Sequence, residues 1–372
     1  MKNNLRNLLV VFVVVALGIV AYKISSNPEP LEASQGSSPL ALNSQHGDLS
    51  TSEGSMPLDG SMIGSSVIDG GVVGAPLQGH IQQVAAKTGS TTMKIASTGN
   101  SKVAHECVTV GGGATIVKVA MASNLWIMFK DEDGLAERFL DSTYNPNNAY
   151  KLYGCHGATG DWVTELTDGG NPENFSVFLA ANVAGPNTVC GYANSTTPCL
   201  PTSTLLPNNP VNYTRGLSLM WTAVNSTNKW DDNGTINVSG VSNVNIADPG
   251  KAPYGVAAIQ ILNSTKQYDN VSSEIVYQDN IDDTLKATQN DNSSIGFIAK
   301  SQQCVNGTVS SGAWHQFPDT AYDPIIQGGA VLNVSSSVIN QGSINFMGFV
   351  NSDEDDYGQD TFAKYCYASP DI

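Results

Sequence analysis

Four short stretches place hydrogen-bond donors where an apolar run gives way to a helical pattern. Each offers hydroxyl, amide or backbone N–H groups, and none has a Lys or Arg at its centre. A helix start leaves its first N–H groups without intrahelical acceptors and carries the positive end of the helix dipole, so each turn suits an anion. The four turns are Ser123-Asn124, Ala158-Thr159-Gly160, Pro253-Tyr254-Gly255 and Asn280-Ile281.

The third turn has the clearest pattern of the four. A short apolar run ends in Asp248-Pro249-Gly250, the Pro253-Tyr254-Gly255 turn follows, and an amphipathic run continues through Tyr268. This order predicts a strand, a tight turn and a helix. A single turn of this kind is usually an ordinary N-cap, because Ser, Thr and Asn are preferred there. Four such turns together favour one anion site built from neutral donors.

Apolar strand-like runs alternate with helical runs from Ala114 onward. This alternation predicts an α/β fold with mostly parallel sheets covered by helices. In such sheets ligands bind beyond the carboxyl ends of the strands. Strands are predicted at 115–122, 150–153, 176–181, 217–224, 274–277, 294–299 and 330–334, and helices at 125–139, 161–167, 282–288 and 360–367.

The composition limits the partners of the chain. With 372 residues, 41% hydrophobic and 13% charged, the chain is long enough for a large core in two lobes. The first 23 residues hold three of the 17 basic residues and no acid, so the remainder has 14 basic and 33 acidic residues, or −19. Nucleic acid is excluded as a partner, because binding its phosphates needs clustered Lys and Arg.

The first 23 residues have the features of a targeting segment. Lys2 and Arg6 precede an apolar run from Leu8 to Tyr22, which indicates a cleaved signal peptide or an uncleaved membrane anchor. Both interpretations export the rest of the chain to the periplasm or the extracellular space. Residues 24–90 are rich in Ser, Gly and Pro and predict a flexible tether, and 91–113 form a strand-like extension without an assigned place.

Six cysteines in an exported chain are compatible with disulfides. Only the pair Cys190 and Cys199 suggests itself, because it closes a short local loop. As a weaker alternative, His105 with Cys107 and Cys155 with His156 could hold a metal ion. No hydrolase, zinc-protease or phosphate-loop motif is present, so we expect neither an enzyme nor a metal site.

Six segments, in order, resemble the molybdate-binding proteins of ABC transporters. The most specific are Asn245 to Ala258, which includes the third turn, and Ser294 to Gln302. The others are 118–124, resembling the family's first strand and ligand turn, 157–160, its second turn, 178–183, the strand leaving the first half, and 322–332, the return segment. Together they span about residues 114–367.

The resemblance implies a two-lobed periplasmic-binding-protein fold that closes on a tetrahedral oxyanion. Lobe 1 is expected at 114–221 and 311–372, and lobe 2 at 222–310. Each lobe is expected to be a mostly parallel sheet covered by helices, with the ligand in the cleft between them. By position in the family, the ligand-binding residues are Ser123 and Asn124 in the first turn, Thr159 in the second, and Tyr254 and Ile281 through their backbone N–H groups.

The implied function is extracytoplasmic capture of molybdate, or of tungstate, for delivery to an ABC permease by a monomer that needs no cofactor. Molybdate is a dianion without a proton to donate, so its site should contain donors only, whereas a carboxylate acceptor would favour a protonated anion. The alternative is an extracellular structural or adhesive protein that keeps the fold without the ligand site.

Two departures from the family pattern bear on the site. Ala299 stands where some members have a ligand-binding tyrosine, and Asn124 could replace that donor. Asp279, Asp282 and Asp283 crowd the fourth turn, where any carboxylate pointing inward would repel an anion.

Overall fold

The computed structural model describes residues 91–95, 105–191, 198–223, 229–354 and 356–371. The predicted signal peptide or anchor at 1–23 and the predicted tether at 24–90 lie outside these residues. Within the described ranges, no helix has the length and apolar character needed to cross a bilayer.

Fourteen strands and nine α-helices form the described part of the chain. The strands are β1 Thr91–Ile95, β2 His105–Val110, β3 Thr115–Ala122, β4 Tyr150–Gly157, β5 Val177–Leu179, β6 Val211–Gly216, β7 Ser218–Thr222, β8 Val244–Ala247, β9 Ile275–Gln278, β10 Ile295–Ala299, β11 Cys304–Val305, β12 Thr308–Val309, β13 Ala313–His315 and β14 Ile325–Val331. The helices are α1 Trp126–Lys130, α2 Leu135–Asp141, α3 Thr159–Leu166, α4 Ala184–Gly191, α5 Pro253–Ser264, α6 Tyr268–Val271, α7 Ile281–Asn290, α8 Ser337–Val350 and α9 Gly358–Lys364.

Two large sheets form the two predicted lobes. The lobe 1 sheet has the order β1-β2-β4-β3-β5-β14-β6, and the lobe 2 sheet has the order β13-β7-β10-β8-β9. Both sheets are mixed and therefore less parallel than predicted, because β1, β2, β6, β7, β13 and β14 pair antiparallel with their neighbours. The parallel ladders are β4-β3-β5 in the middle of the lobe 1 sheet and β10-β8-β9 at one side of the lobe 2 sheet.

The lobe boundaries differ from the predicted ones by a few residues. β6 pairs with β14 in the lobe 1 sheet, whereas β7 pairs with β10 in the lobe 2 sheet, so the chain crosses at Leu217 instead of at 221–222. β13 also belongs to lobe 2, so the return crossing follows His315 instead of preceding 311. The unassigned extension contributes β1 and β2, which extend the lobe 1 sheet from β4.

Each lobe has its own apolar core. In lobe 1, Phe139 contacts Phe346 and Phe349 of α8 edge to face. In lobe 2, α5 buries Ala258 and Ile261 in the same cluster as Phe297 of β10. The helix predicted at 125–139 is divided into α1 and α2 around Gly134, where a Cβ atom would lie 2.0 Å from the Met128 carbonyl oxygen.

Three disulfides join all six cysteines. The predicted bond between Cys190 and Cys199 is confirmed, and the other two bonds are Cys107–Cys155 and Cys304–Cys366. The alternative metal pairs are therefore wrong, because Cys107 and Cys155 bond to each other across β2 and β4 and have no thiolate to give.

Candidate functional site

The predicted ligand-binding residues follow the carboxyl ends of four strands in the parallel ladders, β3, β4, β8 and β9. Ser123 and Asn124 follow β3 in a 3-10 helix, Thr159 begins α3, Tyr254 is the second residue of α5, and Ile281 begins α7. All five line one cavity between the lobes, and none of its lining residues is charged. The full lining is Ala122, Ser123, Asn124, Gly157, Ala158, Thr159, Ala181, Ala252, Pro253, Tyr254 and Ile281.

The two lobes are closed over this cavity. Its volume is about 10 Å³, which is close to the space that one water molecule requires. The Gly160 N–H of lobe 1 donates to the Lys251 carbonyl of lobe 2 at 2.9 Å, and Ser301 Oγ donates to the Asn124 carbonyl at 3.2 Å. A tetrahedral oxyanion is larger than one water, so the cavity has to widen to hold one.

Lobe 1 contributes two residues with side-chain hydroxyls to the cavity lining. Thr159 Oγ1 accepts a hydrogen bond from the Ala181 N–H at 3.1 Å, which leaves its own hydrogen available to donate. Ser123 Oγ lies 3.0 Å from His156 Nδ1. Ser123 and Thr159 are both buried, so bulk water cannot replace a hydrogen-bond partner that either hydroxyl loses.

Asn124 belongs to a buried polar network at the base of lobe 1. Its Nδ2 donates to Gln327 Oε1 at 3.0 Å and to Tyr367 Oη at 2.8 Å, while its Oδ1 is buried without a hydrogen-bond partner. Gln327 Oε1 also accepts from Tyr213 Oη at 2.9 Å. In this arrangement both amide hydrogens of Asn124 are engaged, and neither is free to replace a donor missing at Ala299.

Lobe 2 contributes residues at the starts of two helices to the cavity lining. Asn280 caps α7, and its Oδ1 accepts from the N–H groups of Asp282 and Asp283, which leaves the Ile281 N–H unused by the cap. Pro253 occupies the first position of α5, so the Tyr254 N–H is the first that this helix can offer.

The phenol of Tyr254 is engaged elsewhere. Its Oη accepts a hydrogen bond from Gln327 Nε2 of β14 at 3.1 Å. The ring end lies against Gly216, where a Cβ atom would come within 2.0 Å of Oη. Through its side chain, Tyr254 therefore links α5 of lobe 2 to β14 and to β6, the strand before the chain crossing.

The three acids of the fourth turn are held away from the cavity lining. Asp279 is 85% exposed with Lys251 Nζ at 3.8 Å, and Asp283 accepts from Asn280 Nδ2 at 2.6 Å. Asp282 is buried, but Lys286 Nζ lies 2.7 Å from its Oδ2. The repulsion that these acids could exert on an anion is reduced by these partners.

His156 is a site residue that the sequence interpretation missed. It is the next-to-last residue of β4 and is buried, and its Nδ1 contacts Ser123 Oγ as described above. Its Nε2 has no hydrogen-bond partner and lies 3.8 Å from Glu106 Oε2. The signal for it in the sequence is its position three residues before Thr159. The weaker metal hypothesis instead pairs His156 with Cys155.

Comparison with known proteins gives consistent results. A family model described as bacterial extracellular solute-binding protein matches residues 117–368. The chain is 29% identical over 182 residues to the molybdate-binding protein ModA of Rhodobacter capsulatus, covering 48% of this chain and 64% of that protein. It is 26% identical over 220 residues to ModA of Azotobacter vinelandii, covering 59% of this chain and 78% of that protein. The first of these matches thus spans less than two thirds of the relative.

A solved structure shows the same fold. The periplasmic molybdate-binding protein of Azotobacter vinelandii superposes with a TM-score of 0.55 at 20% identity, covering 68% of this chain and 98% of that one. The two-lobed periplasmic-binding-protein fold predicted from the sequence is confirmed, and so is the resemblance to molybdate-binding proteins.

Proposed function

Because the chain belongs to the family of bacterial extracellular solute-binding proteins, we propose that it captures a tetrahedral oxyanion, molybdate or tungstate, outside the cytoplasm. We further propose that it acts as a monomer and delivers the anion to an ABC permease. The observation that carries the proposal is the convergence of Ser123, Asn124, Thr159, Tyr254 and Ile281 on one uncharged cavity between the lobes.

The chemistry of the lining supports a fully deprotonated anion. The lining residues carry hydroxyls, an amide and main-chain N–H groups as polar groups, and no carboxylate is among them. A protonated anion needs an acceptor for its own hydrogen, and a carboxylate usually provides it. The donors of α5 and α7 also place two helix N-termini at the anion, which compensates charge without an ion pair.

A rotation of two side-chain amides gives the site one more donor. Turning Asn124 and Gln327 by 180° exchanges their oxygens and nitrogens. Gln327 Nε2 then donates to Asn124 Oδ1 and to Tyr213, and Tyr254 Oη donates to Gln327 Oε1. Tyr367 Oη turns its hydrogen from the Asn124 carbonyl to Asn124 Oδ1. The Asn124 Nδ2 group then occupies the position that Asn124 Oδ1, which has no hydrogen-bond partner, holds before the rotation. We propose that this arrangement accompanies ligand binding, so that Asn124 supplies the donor missing at Ala299.

Calorimetric titration of the full-length protein with molybdate, tungstate, sulfate and phosphate tests the proposal. We expect submicromolar affinity for the first two anions and weaker binding of phosphate. Thr164→Val removes a hydroxyl on the exposed side of α3 and is the matched control for removing the Thr159 hydroxyl of the same helix. Absence of binding by all four anions would overturn the proposal and favour the structural or adhesive alternative.

A further inference from the structure

His156 lies between the candidate site and a cluster of charges. Its ring is 5% exposed and stacks on Trp126 with centroids 4.4 Å apart. On one side, Nδ1 is 3.0 Å from Ser123 Oγ. On the other side, Nε2 has no hydrogen-bond partner and faces Glu106, whose Oε2 is 3.8 Å away.

The charges around the ring come from three further elements. Glu106 lies on β2, Asp282 and Lys286 lie on α7, and Lys130 of α1 covers the Trp126 ring at 4.7 Å. One atom each of Glu106, His156 and Asp282 lies within 4.8 Å of the others. Lys286 Nζ is 2.7 Å from Asp282 and 3.3 Å from Glu106, so a lysine already supplies the cation that these carboxylates need. We therefore do not assign a metal site there.

A neutral imidazole cannot serve both of its neighbours. With the hydrogen on Nε2, the ring donates toward the carboxylates, but Nδ1 then accepts the Ser123 hydroxyl hydrogen and the ligand loses that donor. With the hydrogen on Nδ1, Ser123 is free to donate to the ligand, but the Nε2 lone pair faces Glu106 and Asp282. Only the doubly protonated ring donates on both sides.

We propose that His156 is a positioning residue that takes up one proton from solvent when an oxyanion binds, so that Ser123 donates its hydroxyl hydrogen to the ligand. This inference rests on the function proposed above. The proton adds to the free ring nitrogen, and Ser123 keeps its own. The bound complex then contains a cation beside the dianion and the two carboxylates.

The free protein starts from the neutral ring. Burial lowers the pKa of His156 to about 4, against the raising effects of Asp282 and Glu106. A dianion held by Ser123 adds negative charge next to the ring and raises this pKa in the complex. Binding should therefore be linked to proton uptake at pH values above 4.

The test is to count protons by calorimetry of the full-length protein with molybdate, at pH 6 to 8, in two buffers of different ionisation enthalpy. We expect net proton uptake, and a dissociation constant that falls by up to about tenfold per unit decrease in pH. Binding without uptake would overturn the inference and leave the proposed function standing. No binding of any oxyanion at any pH would overturn both.

Two variants assign the proton to the ring. His156→Gln removes the group that titrates, so we expect binding with no pH dependence beyond that of the ligand itself. The matched control is His315→Gln, since burial also lowers the pKa of His315 but its ring packs on Phe317, outside the cavity lining. Uptake that persists in His156→Gln, or that disappears in His315→Gln, would contradict the assignment.

Discussion

The two walls of the cavity present different kinds of donor. The lobe 1 wall, formed by Ser123, Asn124 and Thr159, uses side chains that already have partners within the protein. The lobe 2 wall, formed by Tyr254 and Ile281, uses main-chain N–H groups at the starts of α5 and α7. Both walls are buried, so the difference lies in how freely each donor can turn.

This difference predicts a division of labour. Main-chain donors are fixed by their helices and need no reorganisation when an anion arrives. The Asn124 amide must turn, and the Ser123 hydroxyl must change from donor to acceptor toward His156, before either donates to a ligand, and that change reduces the net gain. We therefore expect the lobe 2 wall to contribute more to affinity per donor, and the lobe 1 wall to make affinity sensitive to conditions.

The largest effect is expected from Ile281→Pro. Proline is well tolerated at the first position of a helix, and the extended backbone of Asn280 suits the residue before a proline, so α7 should persist while the N–H is lost. Losing a main-chain donor to a desolvated anion should cost about 3 kcal/mol, or roughly a hundredfold in affinity. Calorimetry with molybdate measures it, and Ile281→Val is the control that keeps the N–H.

The same logic applies to Tyr254. Tyr254→Pro and Tyr254→Ala both remove the phenol, but only the proline also removes the N–H. We expect the proline variant to bind much more weakly than the alanine variant. Equal affinities for the two would show that the lobe 2 wall does not act through its backbone.

A smaller loss is expected when a lobe 1 hydroxyl is removed. Thr159→Val should weaken molybdate binding by about 2 kcal/mol, and Ser123→Ala by about 1 kcal/mol, since Ser123 shares its hydrogen with His156. Calorimetric titration of each variant with molybdate, in parallel with the wild type, measures both losses. If neither variant changes the affinity, the wrong turns have been chosen for the lobe 1 wall.

The meeting of the four turns at one cavity could be predicted because each turn depends on local signals. An apolar run, a turn and a helical period locate the carboxyl end of a strand, and the four turns found this way do meet at one cavity. Tyr254 was expected to offer its N–H and not its phenol, and the structure engages the phenol with Gln327. Local pattern also gave the Cys190–Cys199 bond.

The remaining features depend on contacts between distant segments. Asn124 lies 203 residues from Gln327 and 243 from Tyr367, so no local pattern shows that its amide hydrogens are engaged. The crossings at Leu217 and after His315 follow from which sheet β7 and β13 join, and short apolar strands fit either sheet. His156 acquires its role from Glu106 and Asp282, which arrive from different elements.

The pH dependence of stability separates the two walls further. Because burial lowers the pKa of His156 to about 4, the unfolded chain binds this proton more tightly than the folded protein between pH 6.5 and 4. The stability that the protein gains from a neutral His156 is fully present above pH 6.5 and is lost as the pH falls from 6.5 to 4. Between pH 8 and pH 5.5, we expect the free energy of unfolding of the wild type to fall by about 1.4 kcal/mol more than that of His156→Gln. Urea denaturation without ligand measures this difference, and parallel curves would contradict it.

The smallest effect on binding is expected from Tyr254→Phe. The variant keeps the backbone N–H and loses only Oη, so the affinity for molybdate should stay within about twofold of wild type. Gln327 Nε2 loses its partner in a buried network, and the free energy of unfolding should fall by about 1 kcal/mol.

Gly216 provides the matched comparison for that variant. A Cβ atom there would meet Tyr254 Oη at 2.0 Å, so Gly216→Ala should be more disruptive in wild type than in Tyr254→Phe, where the contacting oxygen is absent. A double-mutant cycle on the free energy of unfolding measures this coupling. If Tyr254→Phe instead abolished binding while remaining folded, the phenol would be a ligand donor, and the two walls would not differ in the way proposed here.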